Sequence, residues 1–241
     1  MNTMLTVLGA LGGVVIIYAI IIRVVRALQV RRAARDAISK DYYYRSIELT
    51  CRCEVPGKVL HSSREAEIVS CQDDLSHIRV GFGPASVATF VPQLSPSSLT
   101  LRPVDAHLPS EIGDWTNYRI EFGRKLKKRE AIRFKVELTT TALEGKVIPS
   151  FWSWVSEHRV DSLVLRVAFA GDCPTNARFR TFDQEGDVHA EEQLVIDPLS
   201  RECRKAISFP RPRFQYLIQW EPADPSGKEA ASEPLVDSPS V

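Results

Sequence analysis

Apolar and polar positions follow two different periods along this chain, and the change between them falls near residue 41. From Met4 to Ile22 there is no alternation, only 19 residues without a charge, eleven of them Leu, Ile or Val. At 1.5 Å per residue such a run spans roughly 28 Å as a helix, close to the hydrocarbon thickness of a bilayer. Its insertion terms sum to about −3 to −6 kcal/mol before the glycines are charged against them. The run therefore predicts a single transmembrane helix. From Arg23 to Ser39 apolar residues recur at helical spacing beside arginines, which predicts a basic juxtamembrane helix.

After Asp41 the period becomes two. Ile47, Leu49, Cys51, Cys53 and Val55 alternate with polar neighbours, as a half-buried strand requires. The same alternation runs through Ile78–Phe82, Tyr118–Phe122, Ile132–Leu138, Leu163–Phe169 and Phe214–Trp220. Weaker strands are expected near Ser63–Cys71, Val87–Val91, Leu99–Pro103, Ala177–Phe182, His189–Ile196 and Arg204–Phe209. Short strands separated by turn sequences such as PGK, QEGD and DPLS point to antiparallel sheets that cover each other's apolar faces. Helix is expected only near Ser150–His158 (SFWSWVSEH), with a turn around Ser110–Trp115. Two segments echo each other: YRSIELT at Tyr44 with YRIEFG at Tyr118, and DLSHIRVGF at Asp74 with DSLVLRVAF at Asp161.

The fold expected is thus mainly β: an N-terminal transmembrane helix followed by an antiparallel β-sandwich-like domain built as two packed halves. The divisions are residues 1–22 for the span, 23–40 for the basic helix, 41–116 and 117–221 for the halves, and 222–241 for a Pro-, Ser- and acid-rich tail unable to bury enough surface to order itself.

Charge adds an orientation. The net charge of +1 hides a basic start: residues 1–40 hold six Arg or Lys against Asp36, while the rest of the chain is slightly acidic. Arg23, Arg26, Arg31, Arg32 and Arg35 all follow the apolar run and none precedes it. The positive-inside bias then puts the N-terminus outside and the β domain in the cytoplasm of a single-pass cell-membrane protein. These arginines serve topology and general attraction to headgroups more readily than one specific lipid. A near-neutral domain lacks the basic face that nucleic-acid binding needs, so no nucleic acid is expected. Five cysteines, an odd number without a framework, suit reduced cytosolic thiols.

Candidate chemistry is sparse. Gly9 and Gly13 have the G-x-x-x-G spacing that lets two membrane helices pack, although glycine is also simply common there. Arg124, Lys125, Lys127, Lys128 and Arg129 place five cations between two strands, a hairpin tip suited to anionic lipid headgroups or a nucleotide phosphate, or else a solvated loop. Cys51 and Cys53 share a strand face that Cys71 or His61 could reach from a neighbouring strand, yet that face is apolar and C-x-C alone is no metal motif. Trp152, Trp154 and Phe151 read as a core plug. No nucleophile elbow, H-E-x-x-H pattern or phosphate loop is present, so no catalytic residue, metal or cofactor is assigned.

The function expected is a membrane-anchored, non-enzymatic binding or interaction module whose cytoplasmic β-sandwich recruits a protein partner or a second copy. The alternative is an effector of the bacterial defence type, in which the β-rich domain senses a signal and clusters the transmembrane helices. That alternative rests on architecture alone.

Overall fold

A computed structural model describes residues 41–83, 86–104, 116–155, 157–171 and 173–221. The expected transmembrane segment, with Gly9 and Gly13, the juxtamembrane arginines Arg23, Arg26, Arg31, Arg32 and Arg35, the turn at Ser110–Trp115 and the tail at 222–241 lie outside the described residues. Among the described residues no helix is long and apolar enough to cross a membrane.

All regular structure described is strand. In chain order these are β1 (Tyr42–Val55), β2 (Val59–Ser70), β3 (Leu75–Phe82), β4 (Ala88–Ser95), β5 (Thr100–Pro103), β6 (Thr116–Leu126) and β7 (Ala131–Ala142). They continue with β8 (Phe151–Val155), β9 (Ser162–Phe169), β10 (Ala177–Phe182), β11 (Val188–Leu194), β12 (Glu202–Ser208) and β13 (Gln215–Trp220). Every segment expected to be a strand is one. The exception runs the other way: Phe151–Val155, expected as helix, is a strand. Trp154 and Trp152 stand opposite Tyr216 and Ile218 of β13, and that pairing outweighs the local i, i+3 spacing of the aromatics.

Three sheets result, ordered β12-β9-β1-β2-β7-β4, β11-β10-β13-β8 and β3-β6-β5. Strands from both sides of the 116/117 division share the six-stranded sheet. One pairing corrects the expectation of purely antiparallel sheets: β1 and β9 run parallel, Ile47 opposite Leu163 through Cys53 opposite Phe169. Alternation reports which face a residue takes and is silent on strand direction, so sequence could not distinguish the two. The echo relates β1 to β6 and β3 to β9, but the strands pair across it and with opposite sense, β1 with β9 parallel and β6 with β3 antiparallel. The echo is therefore one of strand chemistry and not of a repeated hairpin.

The core is continuous across the sheets. Ile47, Leu49, Phe134, Val136 and Leu165 of the large sheet meet Ile78, Ile120 and Phe122 of the three-stranded sheet and Phe179 and Ile218 of the four-stranded one. Phe169 packs edge-on against Trp220, with ring centroids 5.7 Å apart. At the other flank the Arg64 guanidinium lies 5.2 Å from the Phe82 ring. Both smaller sheets thus cover the same face of the large one, which makes the domain sandwich-like.

A bulge at Arg45 sets the register of β1. Tyr44 stands opposite Ile68 and Ser46 opposite Glu67, leaving Arg45 as the extra residue. Tyr42 and Tyr44 before it, and Ile47, Leu49, Cys51 and Cys53 after it, all face the core despite their opposite parity.

Candidate functional site

The basic hairpin tip follows directly from the strand pattern. Leu126 is fully buried and ends β6, Ala131 begins β7, and the chain must reverse in the four residues between them. Glu130 N–H donates to the Lys127 carbonyl at 3.0 Å and Arg129 takes a left-handed φ of 69°, which closes a tight turn. The Glu130 carboxylate accepts the Lys127 N–H at 2.9 Å and pairs with the Arg124 guanidinium. Those contacts, the Lys127 amide first, hold its pKa below the usual carboxylate range.

Acids beneath the tip order it further. Asp73 accepts the Lys128 N–H at 2.9 Å, and Asp74 lies 3.5 Å from Lys125 Nζ. Two of the five cations therefore have carboxylate partners. Lys127, Lys128 and Arg129 are exposed and have none among the described residues. Their backbone is fixed while their charges point to solvent, an arrangement that meets an anionic partner with little further ordering cost.

The position of this tip in the domain is its most informative property. Arg129 N–H donates to the Ser70 carbonyl at 2.8 Å, Ser70 N–H donates to Glu130, and Cys71 N–H donates to the Asp41 carbonyl at 2.8 Å. The tip is thus joined, through the end of β2, to the point where the described chain begins. The β1–β2 turn and the β11–β12 turn lie at the far end of the large sheet. Fourteen residues of β1 separate the two ends, roughly 40 Å at about 3.3 Å per residue.

The other candidates are dispersed. Cys51 and Cys53 face the core opposite Ser62 and Leu60, whereas His61 points to the opposite face opposite Arg52, and Cys71 lies at the other end of β2. Instead Cys51 shares a row with Val167 and Cys203. Burial pushes the Cys203 thiol up to about 11 and the Cys51 thiol higher still. All five cysteines are free thiols. Trp154 is buried and Trp152 half-buried, while Phe151 is partly exposed on the edge strand β8.

His61 donates to or accepts from Thr139 Oγ1 at 3.1 Å within a shallow, open concavity of about 340 Å³ on the outer face of the large sheet. His189 contacts Asp183 at 2.6 Å on the β10–β11 hairpin, and His158 stacks on Tyr42. No two of these histidines meet, and among the described residues no three His, Cys, Asp or Glu side chains converge to hold a metal ion.

No protein-family model matches the sequence. No curated protein matches it either. Among solved structures, an M1 zinc metallopeptidase from Deinococcus radiodurans is 11% identical, with a TM-score of 0.39 over 76% of this chain and 44% of that one. A putative protease from Parabacteroides distasonis is 8% identical, with a TM-score of 0.44 over 78% of this chain and 37% of that one. The chain spans less than half the length of either protein. Likeness at this level carries no argument about fold or activity.

Proposed function

We propose that this chain is a membrane-tethered, non-enzymatic binding module. Its N-terminal span anchors it in the cell membrane with the β domain on the cytoplasmic side. The basic tip lies on anionic headgroups, and the far end of the sandwich is presented to a protein partner or a second copy. The observation that supports this reading is the shared location of Asp41 and the Lys127–Arg129 turn at one end of the domain. A span that ends at Ile22, followed by a basic helix over 23–40 lying along the headgroups, delivers Asp41 at the membrane surface and brings that turn to the surface first. Lys and Arg at a negatively charged leaflet each contribute about 1 kcal/mol, so three free cations can orient a tethered domain. Tethering then raises the effective concentration of the far end for any partner in the same membrane.

The test uses the full chain in vesicles containing phosphatidylserine, with a fluorophore placed at position 128 or at position 58 and a quencher on the lipid headgroups. Stronger quenching at 128 than at 58, lost on Lys127→Glu with Arg129→Glu, is the expected result. Equal quenching at both positions, or quenching that ignores the charge reversal, would overturn it.

A further inference from the structure

The outer face of the three-stranded sheet carries a row of arginines assembled from three distant segments. In the register of β3, β6 and β5, Arg79 stands opposite Arg119, and Arg119 stands opposite Arg102. Ile78, Val80 and Ile120 turn into the core, so alternation sends all three arginines to the other face. Neighbouring strands lie about 4.8 Å apart, which sets three guanidinium stems in one line within roughly 10 Å.

Such a row needs an explanation, because like charges directly opposite each other destabilise a sheet. Among the described residues one carboxylate shares this face. Glu121, one row along between His77 and Thr100, lies 3.1 Å from Arg102 Nε. Among the described residues, neither Arg79 nor Arg119 has a carboxylate within ion-pair distance. Arg119 Nε is in addition shielded from solvent without a hydrogen-bond partner. A shielded guanidinium N–H left unpaired is costly, and the cost is relieved when an anion arrives.

We infer that this face binds a ligand carrying two or more phosphate groups. Three guanidiniums against one carboxylate leave two positive charges, more than a single carboxylate ligand balances. The planar fork of arginine grips phosphate oxygens in pairs, and a line of such forks suits phosphates held a few ångströms apart. The neighbouring outward positions are Gly81 and Asn117, while the aromatic rings of this sheet, Phe82 and Tyr118, pack on each other 5.5 Å apart. Among the described residues this outer face holds no Phe, Tyr or Trp ring to stack a nucleobase. Recognition therefore falls on the phosphates, supplied by a phosphorylated lipid headgroup or by a free oligophosphate. The inference does not depend on the membrane tether.

Calorimetric titration of the full chain in mild detergent tests it, with inorganic tripolyphosphate as one probe and short-chain phosphatidylinositol bisphosphate as the other. Either probe is expected to bind, with Arg79→Gln plus Arg119→Gln weakening it at least tenfold and by more than Lys127→Gln plus Lys128→Gln, which remove the tip's own headgroup contacts. Tighter binding of the lipid probe assigns the source to a headgroup, and tighter binding of tripolyphosphate assigns it to a free ligand. Absence of binding by both probes overturns the inference, as does loss on the tip substitutions without loss on the arginine pair. Thermal melts guard against misfolding: without anion the arginine double variant is expected to melt no lower than the parent. If it fails to fold, Arg102→Gln on the short strand β5 replaces it, with a weakening of about threefold expected and an unchanged affinity overturning the proposal.

Discussion

The imidazole of His158 stacks on the ring of Tyr42, with centroids 4.2 Å apart and planes 28° apart. The contact joins the start of β1 to the connection leading into β9, beside the parallel pairing that sequence did not foretell. Tyr44 meets the same imidazole edge-on at 6.1 Å, and the Arg64 charge faces both tyrosines.

This contact predicts how stability varies with pH. Burial holds His158 below its ordinary pKa, with Glu157 and Asp41 pulling the other way. The unfolded chain then takes up the proton more readily than the folded one. Stability is full above about pH 6.5 and falls as pH drops from there towards the folded pKa. Burial also raises Tyr42 and Tyr44, so stability falls again above about pH 10, where unfolded tyrosines ionise first. Urea melts of the parent and His158→Phe check the acidic limb. The variant keeps a stacking ring, so its stability should lose less between about pH 7 and pH 5 than the parent's does. Parallel curves would show that His158 does not carry the effect.

How far the fold was legible follows from what alternation encodes. Ile47, Leu49, Cys51 and Cys53 announce their strand because every second residue is apolar. Tyr42 and Tyr44 do not, since the extra residue Arg45 reverses the parity between them and Ile47. Phe151–Val155 misleads because apolar residues at successive positions fit either period, and the pairing with β13 decides. The tip cations were visible as a contiguous run. Arg79, Arg102 and Arg119 were not, because only strand register brings them into line.

Thiol reactivity provides a second prediction. Cys51 is wholly buried and Cys203 nearly so, with the latter pushed up to about 11. Since the thiolate is the reactive form, neither should alkylate in the folded protein. Iodoacetamide at neutral pH, read by peptide mass spectrometry, should modify half-buried Cys71 and Cys173 first. It should reach Cys51, Cys53 and Cys203 only after denaturant is added. Early modification of Cys51 would mean that β1 opens locally.

Glu67 predicts a stability difference at the bulge. Its side chain is 8% exposed and pairs with Arg45 on one oxygen and with Arg133 Nε at 2.8 Å on the other. Both arginines are more than half exposed and can rehydrate, so the loss on Glu67→Ala should be on the order of 1–2 kcal/mol, less than a fully buried pair would give. Glu67→Gln keeps the shape and part of the hydrogen bonding, and should lose about half as much. Chemical denaturation ranks the two. Equal stability of all three proteins would show that the bulge is set by packing alone.

Two glycines in left-handed conformation separate backbone strain from steric clash. Gly145 has a φ of 70° and nothing within 4 Å of where a Cβ would sit, so Gly145→Ala measures the backbone cost, about 1 kcal/mol. Gly57 has a φ of 68°, but a Cβ there would lie 2.7 Å from Cγ1 of Val147. The Gly57 carbonyl accepts the Ile148 N–H at 2.8 Å, which holds that segment against the β1–β2 turn, and the stiff χ1 of valine limits its escape. Gly57→Ala should therefore cost about 2–3 kcal/mol. Adding Val147→Ala removes the clash and should return the loss to the Gly145→Ala level, because Val147 is 68% exposed and contributes little packing of its own. Urea melts of the parent, Gly57→Ala, Val147→Ala alone and the double variant complete the cycle, with Gly145→Ala beside them. If Gly57→Ala alone matches Gly145→Ala, Val147 swings aside freely and the turn is held by its hydrogen bonds and not by side-chain contact.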